Sequence, residues 1–380
     1  RQRQMCIRDR HDSGQLYDWS VREPEKFWTA MWSFSGVISK TRGSRTLIDA
    51  DKMPGAQWFP DARLNYAENL LRRRDDDAAI VFWGEDKVRW RLSYAQLYDA
   101  VARTVLALKE AGVGRGDRVA AFMPNLPDTI IFMLATASIG AIWSSCSPDF
   151  GAQGVLDRFG QIEPSILFAV EGYYYNGKAH DTLERLATVA DQLPTVKKVV
   201  VVSYTRDKPD ISRIRAAQHL EHFVAPFSGL SAAQADIDFE QLPFNHPLFI
   251  MYSSGTTGVP KCIVHGAGGT LLQHLKEHQL HTDLKSGDRL FYFTTCGWMM
   301  WNWLVSGLAS GATLLLYDGS PAYPTQSVLF DFADAENMTV FGTSAKYIDA
   351  LNKAGIRPNR THRLRSLKAM TSTGSPLVPE

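Results

Sequence analysis

The chain has 380 residues, 45% of them apolar and 21% charged, with a formal net charge of +1. This is the composition of an ordinary globular protein with room for two or three domains, and its near-neutral balance gives no electrostatic reason to expect nucleic acid or an acidic membrane as partner. The four cysteines are scattered without a Cys-x-x-Cys, no apolar stretch reaches transmembrane length, and no apolar leader opens the chain; a reducing, cytoplasmic setting is expected, and a zinc ribbon or disulfide framework is not.

Residues 1–11 match neither the composition nor the periodicity of the rest of the chain and are read as a non-native or disordered tail. Residues 12–75 read as an N-terminal extension that packs its aromatics on the main domain. Within it, Phe27, Trp28, Met31 and Trp32 share one face of an amphipathic helix, Trp58-Phe59-Pro60 breaks the chain, and 64–71 forms a further short helix. A first α/β unit follows over 76–204. Strands are expected over 79–83 and 88–92. Ser93 and Gln96 then form a capping box, and Tyr94, Leu97, Tyr98, Val101, Val105 and Leu108 mark a helix face that Gly112 ends. Strands over 118–123, 141–143, 166–170 and 199–203 alternate with helices over 128–138, 153–162 and 180–192, a pattern of βαβ units and a parallel sheet. Tyr173-Tyr174-Tyr175-Asn176-Gly177-Lys178 lies in a loop after one of these strands. Residues 205–246 carry prolines and charges without a long apolar period and read as a connecting stretch with one short helix near 213–222.

A second α/β unit is expected over 247–380. Leu248-Phe249-Ile250-Met251-Tyr252 is a buried strand that leads into Ser253-Ser254-Gly255-Thr256-Thr257-Gly258-Val259-Pro260-Lys261. Glycines among these small residues let the backbone approach a ligand closely. Successive N–H groups can form an anion nest, the hydroxyls add donors, and Lys261 supplies a point charge for a phosphate. The loop is built for a polyphosphate. It is not the usual P-loop, in which Gly-Lys-Ser/Thr opens a helix; Lys261 follows a proline, and Cys262-Ile263-Val264-His265 reads as a second strand. His274 and His278 sit four apart on a presumed helix, a spacing that can bind zinc, but Leu275 stands where the zinc-protease pattern needs Glu. A partly exposed polar face is expected there, and no metal site. Strands over 289–294, 312–317, 338–341 and 366–370 then alternate with helices over 300–309, 325–337 and 344–354.

Two further stretches could carry chemistry. Thr294-Thr295-Cys296-Gly297-Trp298-Met299-Met300-Trp301-Asn302 follows a strand, and ligands of open α/β sheets bind beyond the carboxyl ends of strands. Its Trp and Met residues would wall a small apolar pocket, in which Asn302 or an indole N–H of Trp298 or Trp301 could bond a substrate oxygen. Read alone, the cluster fits plain core packing better than a pocket. Ser372-Thr373-Gly374-Ser375-Pro376 is a small-residue turn after a strand that could stack on a purine.

The Ser-Gly-Thr-Thr-Gly-x-Pro-Lys spacing resembles the signature of the adenylate-forming enzymes. Trp58-Phe59-Pro60-Asp61-Ala62-Arg63-Leu64-Asn65-Tyr66, Ser147-Pro148-Asp149-Phe150-Gly151, Asp157-Arg158-Phe159-Gly160-Gln161-Ile162-Glu163-Pro164 and Cys296-Gly297-Trp298-Met299-Met300-Trp301 resemble, more narrowly, the acetoacetate–CoA ligases of the acetyl-CoA-synthetase-like branch. The resemblance implies the α/β fold of that family's N-terminal large domain, with two mostly parallel sheets and packed helices. It implies ATP, Mg²⁺ and coenzyme A, small-molecule partners including acetoacetate, and a two-step ligation through an acyl-adenylate. Ser253, Ser254, Gly255, Thr256, Thr257, Gly258 and Lys261 would then hold the β- and γ-phosphates, with Thr256, Thr257 and Lys261 catalytic. Gly374, Ser375 and Pro376 would contact the adenine, Ser375 replacing the Glu common in short-acyl relatives. Trp298, Met299, Met300, Trp301 and Asn302 would line the acid pocket, and Gly177 and Lys178 are placed like a contact to coenzyme A. The family's metal-binding Thr/Glu motif, ribose-binding Asp and C-terminal lid with its catalytic Lys find no counterpart within 380 residues, so a fragment is expected, inactive alone. Another short acid, or a non-catalytic nucleotide-binding module, stays open.

Overall fold

The computed structural model describes residues 12–230, 234, 236–253 and 258–376. Asp12 caps α1 (Ser13–Arg22), accepting from the Gln15 N–H at 2.8 Å. α2 (Pro24–Phe34) starts on a proline, whose missing N–H is no loss at that position. It buries Phe27, Met31 and Trp32. Trp32 lies 4.9 Å from Phe59, and Phe59 lies 5.2 Å from Phe244 of the main body. The extension therefore packs its aromatics as the sequence suggests. α1 escapes sequence reading because it buries a single residue, Trp19, and so has no apolar period. Asn65 caps α3 (Tyr66–Leu70) with its Oδ1 and donates its amide to the carbonyls of Ala137, Ser138 and Glu240. One side chain thus serves the start of one helix and the end of another.

β1 (Ala78–Gly84) and β2 (Val88–Ser93) pair antiparallel. The Ser93/Gln96 capping box is present at the start of α4 (Tyr94–Glu110), which ends before Gly112 at φ +77°. Strands and helices then alternate as expected: β3 (Arg118–Phe122), α5 (Pro127–Ser138), β4 (Ile142–Cys146), α6 (Ala152–Ile162) and β5 (Ile166–Val170). The expected loop at 173–178 is instead a hairpin of β6 (Gly172–Tyr175) and β7 (Lys178–Asp181). Asn176 and Gly177 form its turn with φ of +53° and +79°, the conformation that Asn-Gly favours. The helix expected over 180–192 consequently starts later, as α7 (Leu183–Gln192). After β8 (Lys198–Val202), the helix expected near 213–222 is α8 (Leu220–Val224), preceded by a short strand, β9 (Ala217–His219). The remainder runs β10 (Pro247–Tyr252), β11 (Cys262–Gly266), α9 (Ala267–Lys276), β12 (Arg289–Tyr292), α10 (Met299–Val305), β13 (Thr313–Asp318), α11 (Val328–Ala335), β14 (Val340–Ser344), α12 (Ala345–Lys353) and β15 (Ala369–Thr373).

Two large sheets result. The first has strand order β9-β8-β5-β3-β4-β10-β11, parallel except where β11 turns back on β10. The second has order β15-β14-β12-β13-β1-β2, parallel except for the β1–β2 pair. The sheets do not follow the division of the sequence at 205–246. β1 and β2 come before it yet lie in the second sheet, and β10 and β11 come after it yet lie in the first.

Alternation along the strands sets the layers. In β3, Val119 and Ala121 face α4, α5 and α9 between the sheets, while Ala120 and Phe122 face Val155 and Phe159 of α6. In β13, Leu314 and Leu316 face the shared layer, while Leu315 and Tyr317 face Val328 and Phe332 of α11. The body is thus helix, sheet, helix, sheet, helix. α5, at its middle, is buried on nearly every side, and its Thr136 and Ser138 hydroxyls each donate at 2.7 Å to a carbonyl four residues back. Among the described residues, no helix is long and apolar enough to cross a membrane.

Candidate active site

β10 delivers the phosphate-loop stretch to the carboxyl end of the first sheet. The loop is closed at its neck by a reciprocal pair. The Ser253 N–H donates to the Lys261 carbonyl at 3.0 Å, and the Lys261 N–H donates to Ser253 Oγ at 3.0 Å. The strand–loop–strand reading holds, since β11 runs back antiparallel from Cys262. Gly258 adopts φ +143° with open space where a Cβ would stand, a conformation few other residues tolerate. Lys261 is exposed. Ser254, Gly255, Thr256 and Thr257 lie outside the described residues.

The second candidate stretch follows β12 in the other sheet. Ser145 at the end of β4 donates its hydroxyl to the Cys296 carbonyl at 2.6 Å, tying this stretch to the first sheet. A small cavity of ≈ 30 Å³ opens there, and Ser253 and Trp298 both line it, with Arg158, Cys146 and Gly297. The fold therefore brings the phosphate-loop neck and the Trp/Met stretch to one place. Trp298 is 61% and Met299 43% exposed, while Met300 is half-buried. Trp301 is a correction to the sequence expectation. It is fully buried, and its indole N–H donates to Asn125 Oδ1 at 2.8 Å, so it packs the core and has no donor left for a substrate. Asn302 is 4% exposed, with its amide N–H toward Met251 Sδ at 3.0 Å and its Oδ1 unpartnered.

Behind Asn302 lies a buried polar chain. Ser306 Oγ donates to the Asn302 carbonyl at 3.0 Å, and Tyr66 and His274 Nδ1 approach the same oxygen at 2.5 and 2.7 Å. Either hydroxyl of the Tyr66–Ser306 pair can be the donor, and the His274–Ser306 bond takes its direction from the imidazole tautomer. His274 and His278 are thus not the partly exposed face that their spacing suggests. His278 is completely buried against the Trp303 ring at 4.3 Å. Burial, with His265 nearby, pushes His274 down to about 3, and burial beside His274 holds His278 well below the usual imidazole range. Both are neutral at ordinary pH. Among the described residues, no group of three or more His, Cys, Asp or Glu could hold a metal ion.

None of the remaining candidates lines the Ser253–Trp298 cavity. Gly374, Ser375 and Pro376 are exposed at the carboxyl end of β15, where Ser375 and Pro376 border a groove of ≈ 1190 Å³. Gly177 and Lys178 belong to the β6–β7 hairpin tip. The Asn176 and Gly177 N–H groups donate to the Glu85 carboxylate at 2.7 and 2.8 Å, and Lys178 is exposed. Sequence reading missed Asn125 and Glu85. For Asn125, a lone amide between two prolines just after an apolar strand is the available signal.

A family model described as AMP-binding enzyme matches residues 67–380, and one described as acetyl-coenzyme A synthetase N-terminus matches residues 14–70. The chain is 57% identical over 372 residues to the acetoacetyl-coenzyme A synthetase of Rhizobium meliloti (strain 1021), covering 97% of this chain and 56% of that protein. It is 49% identical over 369 residues to the acetoacetyl-CoA synthetase of Mus musculus, covering 95% and 54%. The solved structure of acetoacetyl-CoA synthetase from Streptomyces lividans matches with a TM-score of 0.91 at 42% identity, over 100% of this chain and 58% of that one. The chain spans about half the length of the curated relatives it matches.

Proposed function

Since the chain belongs to the AMP-binding enzyme family, we propose that the protein ligates acetoacetate to coenzyme A at the expense of ATP. In the first step a carboxylate oxygen of the acid bonds to the α-phosphorus, the bridge to the β-phosphate breaks, and pyrophosphate leaves with the electron pair. In the second the coenzyme A sulfur attacks the acyl carbonyl, its proton is lost, and AMP leaves. The protein's part is to position the groups and offset phosphate charge.

Ser253, Gly258 and Lys261, with Ser254, Gly255, Thr256 and Thr257 between them, take the β- and γ-phosphates. Trp298, Met299, Met300 and Asn302 face the acid. An amide oxygen buried without a partner carries a penalty of about 1–3 kcal/mol, and a ligand or water that bonds it relieves that penalty. Gly374, Ser375 and Pro376 take the adenine, and Lys178 a coenzyme A phosphate. The setting is cytoplasmic lipid and ketone-body metabolism. The observation that carries the reading is the shared cavity of Ser253 and Trp298, one from each sheet. The choice of acetoacetate rests on the names of the relatives.

The test is acid-dependent ATP–pyrophosphate exchange on the complete enzyme, with acetoacetate, acetate, 3-hydroxybutyrate and propionate compared. Exchange strongest with acetoacetate is expected. A strong preference for acetate would keep the chemistry and remove the substrate; no exchange with any acid would remove the ligase reading.

A further inference from the structure

α6 touches both limbs of the phosphate loop. Gln161 donates its amide to the Pro260 carbonyl at 2.8 Å and stands 3.7 Å from the Cys262 thiol, on the outgoing limb. Three residues earlier, and so on the same helix face, Arg158 reaches the incoming limb. Its guanidinium lies 4.5 Å from the Phe150 ring and 5.7 Å from the Tyr252 ring, and it lines the cavity with Ser253 and Trp298. A guanidinium has five N–H donors. The hydrogen bond that Arg158 makes among the described residues is one donation, to the Gly154 carbonyl at 2.7 Å, and no salt bridge to it forms among them. A half-buried guanidinium held between two aromatic faces, with donors to spare, is short of an anion. Its planar fork matches two oxygens of a phosphate.

Resting on the proposed adenylation, we infer that Arg158 is a further phosphate-contacting residue, which holds the ATP triphosphate, and pyrophosphate as it leaves, in addition to Lys261. The neighbouring loop decides the ligand: Ser253 opens the stretch built for a polyphosphate, and Gln161 fixes the same helix to the far end of that stretch.

The experiment is ATP–pyrophosphate exchange on the complete enzyme carrying Arg158→Gln or Arg158→Lys, with melting temperatures alongside. Loss of a charge-assisted bond is expected to raise the KM for ATP and for pyrophosphate about tenfold or more in Arg158→Gln, with the acid KM within about twofold. Arg158→Lys keeps the charge and the stem packing and is expected to recover part of that loss. It also preserves the test should the Gln variant fail to fold, since a phosphate KM equal to the parent's in Arg158→Lys would then overturn the inference. So would unchanged phosphate KM values in a folded Arg158→Gln enzyme, a rise confined to the acid KM, or a parallel loss of stability and of affinity for every substrate. Absence of exchange in the parent enzyme is a separate result, which removes the adenylation reading and this assignment with it.

Discussion

Lys261 and Ser253 fix each other through two bonds at the loop neck, but only one of those bonds uses a side chain, and it is the serine's. Among the described residues the lysine ammonium makes no hydrogen bond or ion pair, so its removal should leave the fold intact. Lys261→Ala in the complete enzyme is expected to slow adenylation by one to three orders of magnitude, about 1–4 kcal/mol of barrier; an unchanged exchange rate would contradict the role. The two tryptophans of the next stretch should separate cleanly. Trp298→Ala is expected to change the preference among acids with little effect on ATP affinity or melting temperature. Trp301→Phe removes the donor to Asn125 and is expected to lose about 1–3 kcal/mol of stability, read by denaturant titration. The sequence grouped these residues because spacing cannot tell which indole faces water. Two histidines give a pH prediction. Their folded pKa values lie below the unfolded imidazole value, so the unfolded chain takes up protons first as pH falls. Their contribution to stability is full above about pH 6.5 and is lost as pH drops toward the folded value of His274, about 3. Stability should fall over that window, and His278→Phe should flatten the fall; an identical pH profile in the variant would count against the assignment.

Among the elements, those with a local cause were legible. Ser93 and Gln96 announce α4, and Gly112 its end, because a capping box and a left-handed stop act within four residues. The β6–β7 hairpin has an equally local signal in Asn176-Gly177. The turn makes a stability prediction with a built-in control. Gly112 and Gly177 have φ of +77° and +79°, but a Cβ on Gly112 meets nothing within 4 Å whereas one on Gly177 stands 2.6 Å from the Tyr323 ring. Gly112→Ala should lose about 1–2 kcal/mol for the left-handed backbone alone. Gly177→Ala should lose more, since it also disturbs the N–H donors to Glu85. Equal melting temperatures in the two variants would show that the hairpin tip yields freely.

At the scale of the whole molecule, strand order was not legible, because pairing between distant segments leaves no periodic trace. Alternation reveals that Ile80 and Phe82 share a face, but nothing near them names Leu314 as the partner of Ile80 or Trp143 as that of Phe249. The exchange of strands makes the sheets interdependent. Residues 12–204 alone would hold β1 and β2 without β13, and β4 without β10. That fragment is expected to show no cooperative thermal transition by circular dichroism, whereas residues 12–376 should; a sharp transition in the shorter piece would show that the first sheet folds by itself. The same pairing sets a timetable for synthesis. Ile80 leaves the ribosome more than two hundred residues ahead of Leu314. At roughly 5–20 residues per second, the interval lasts on the order of ten to fifty seconds. Through that interval the edge of β1 that will meet β13 is an apolar template without its strand, so the nascent chain is most open to wrong pairing while that sheet is still being made.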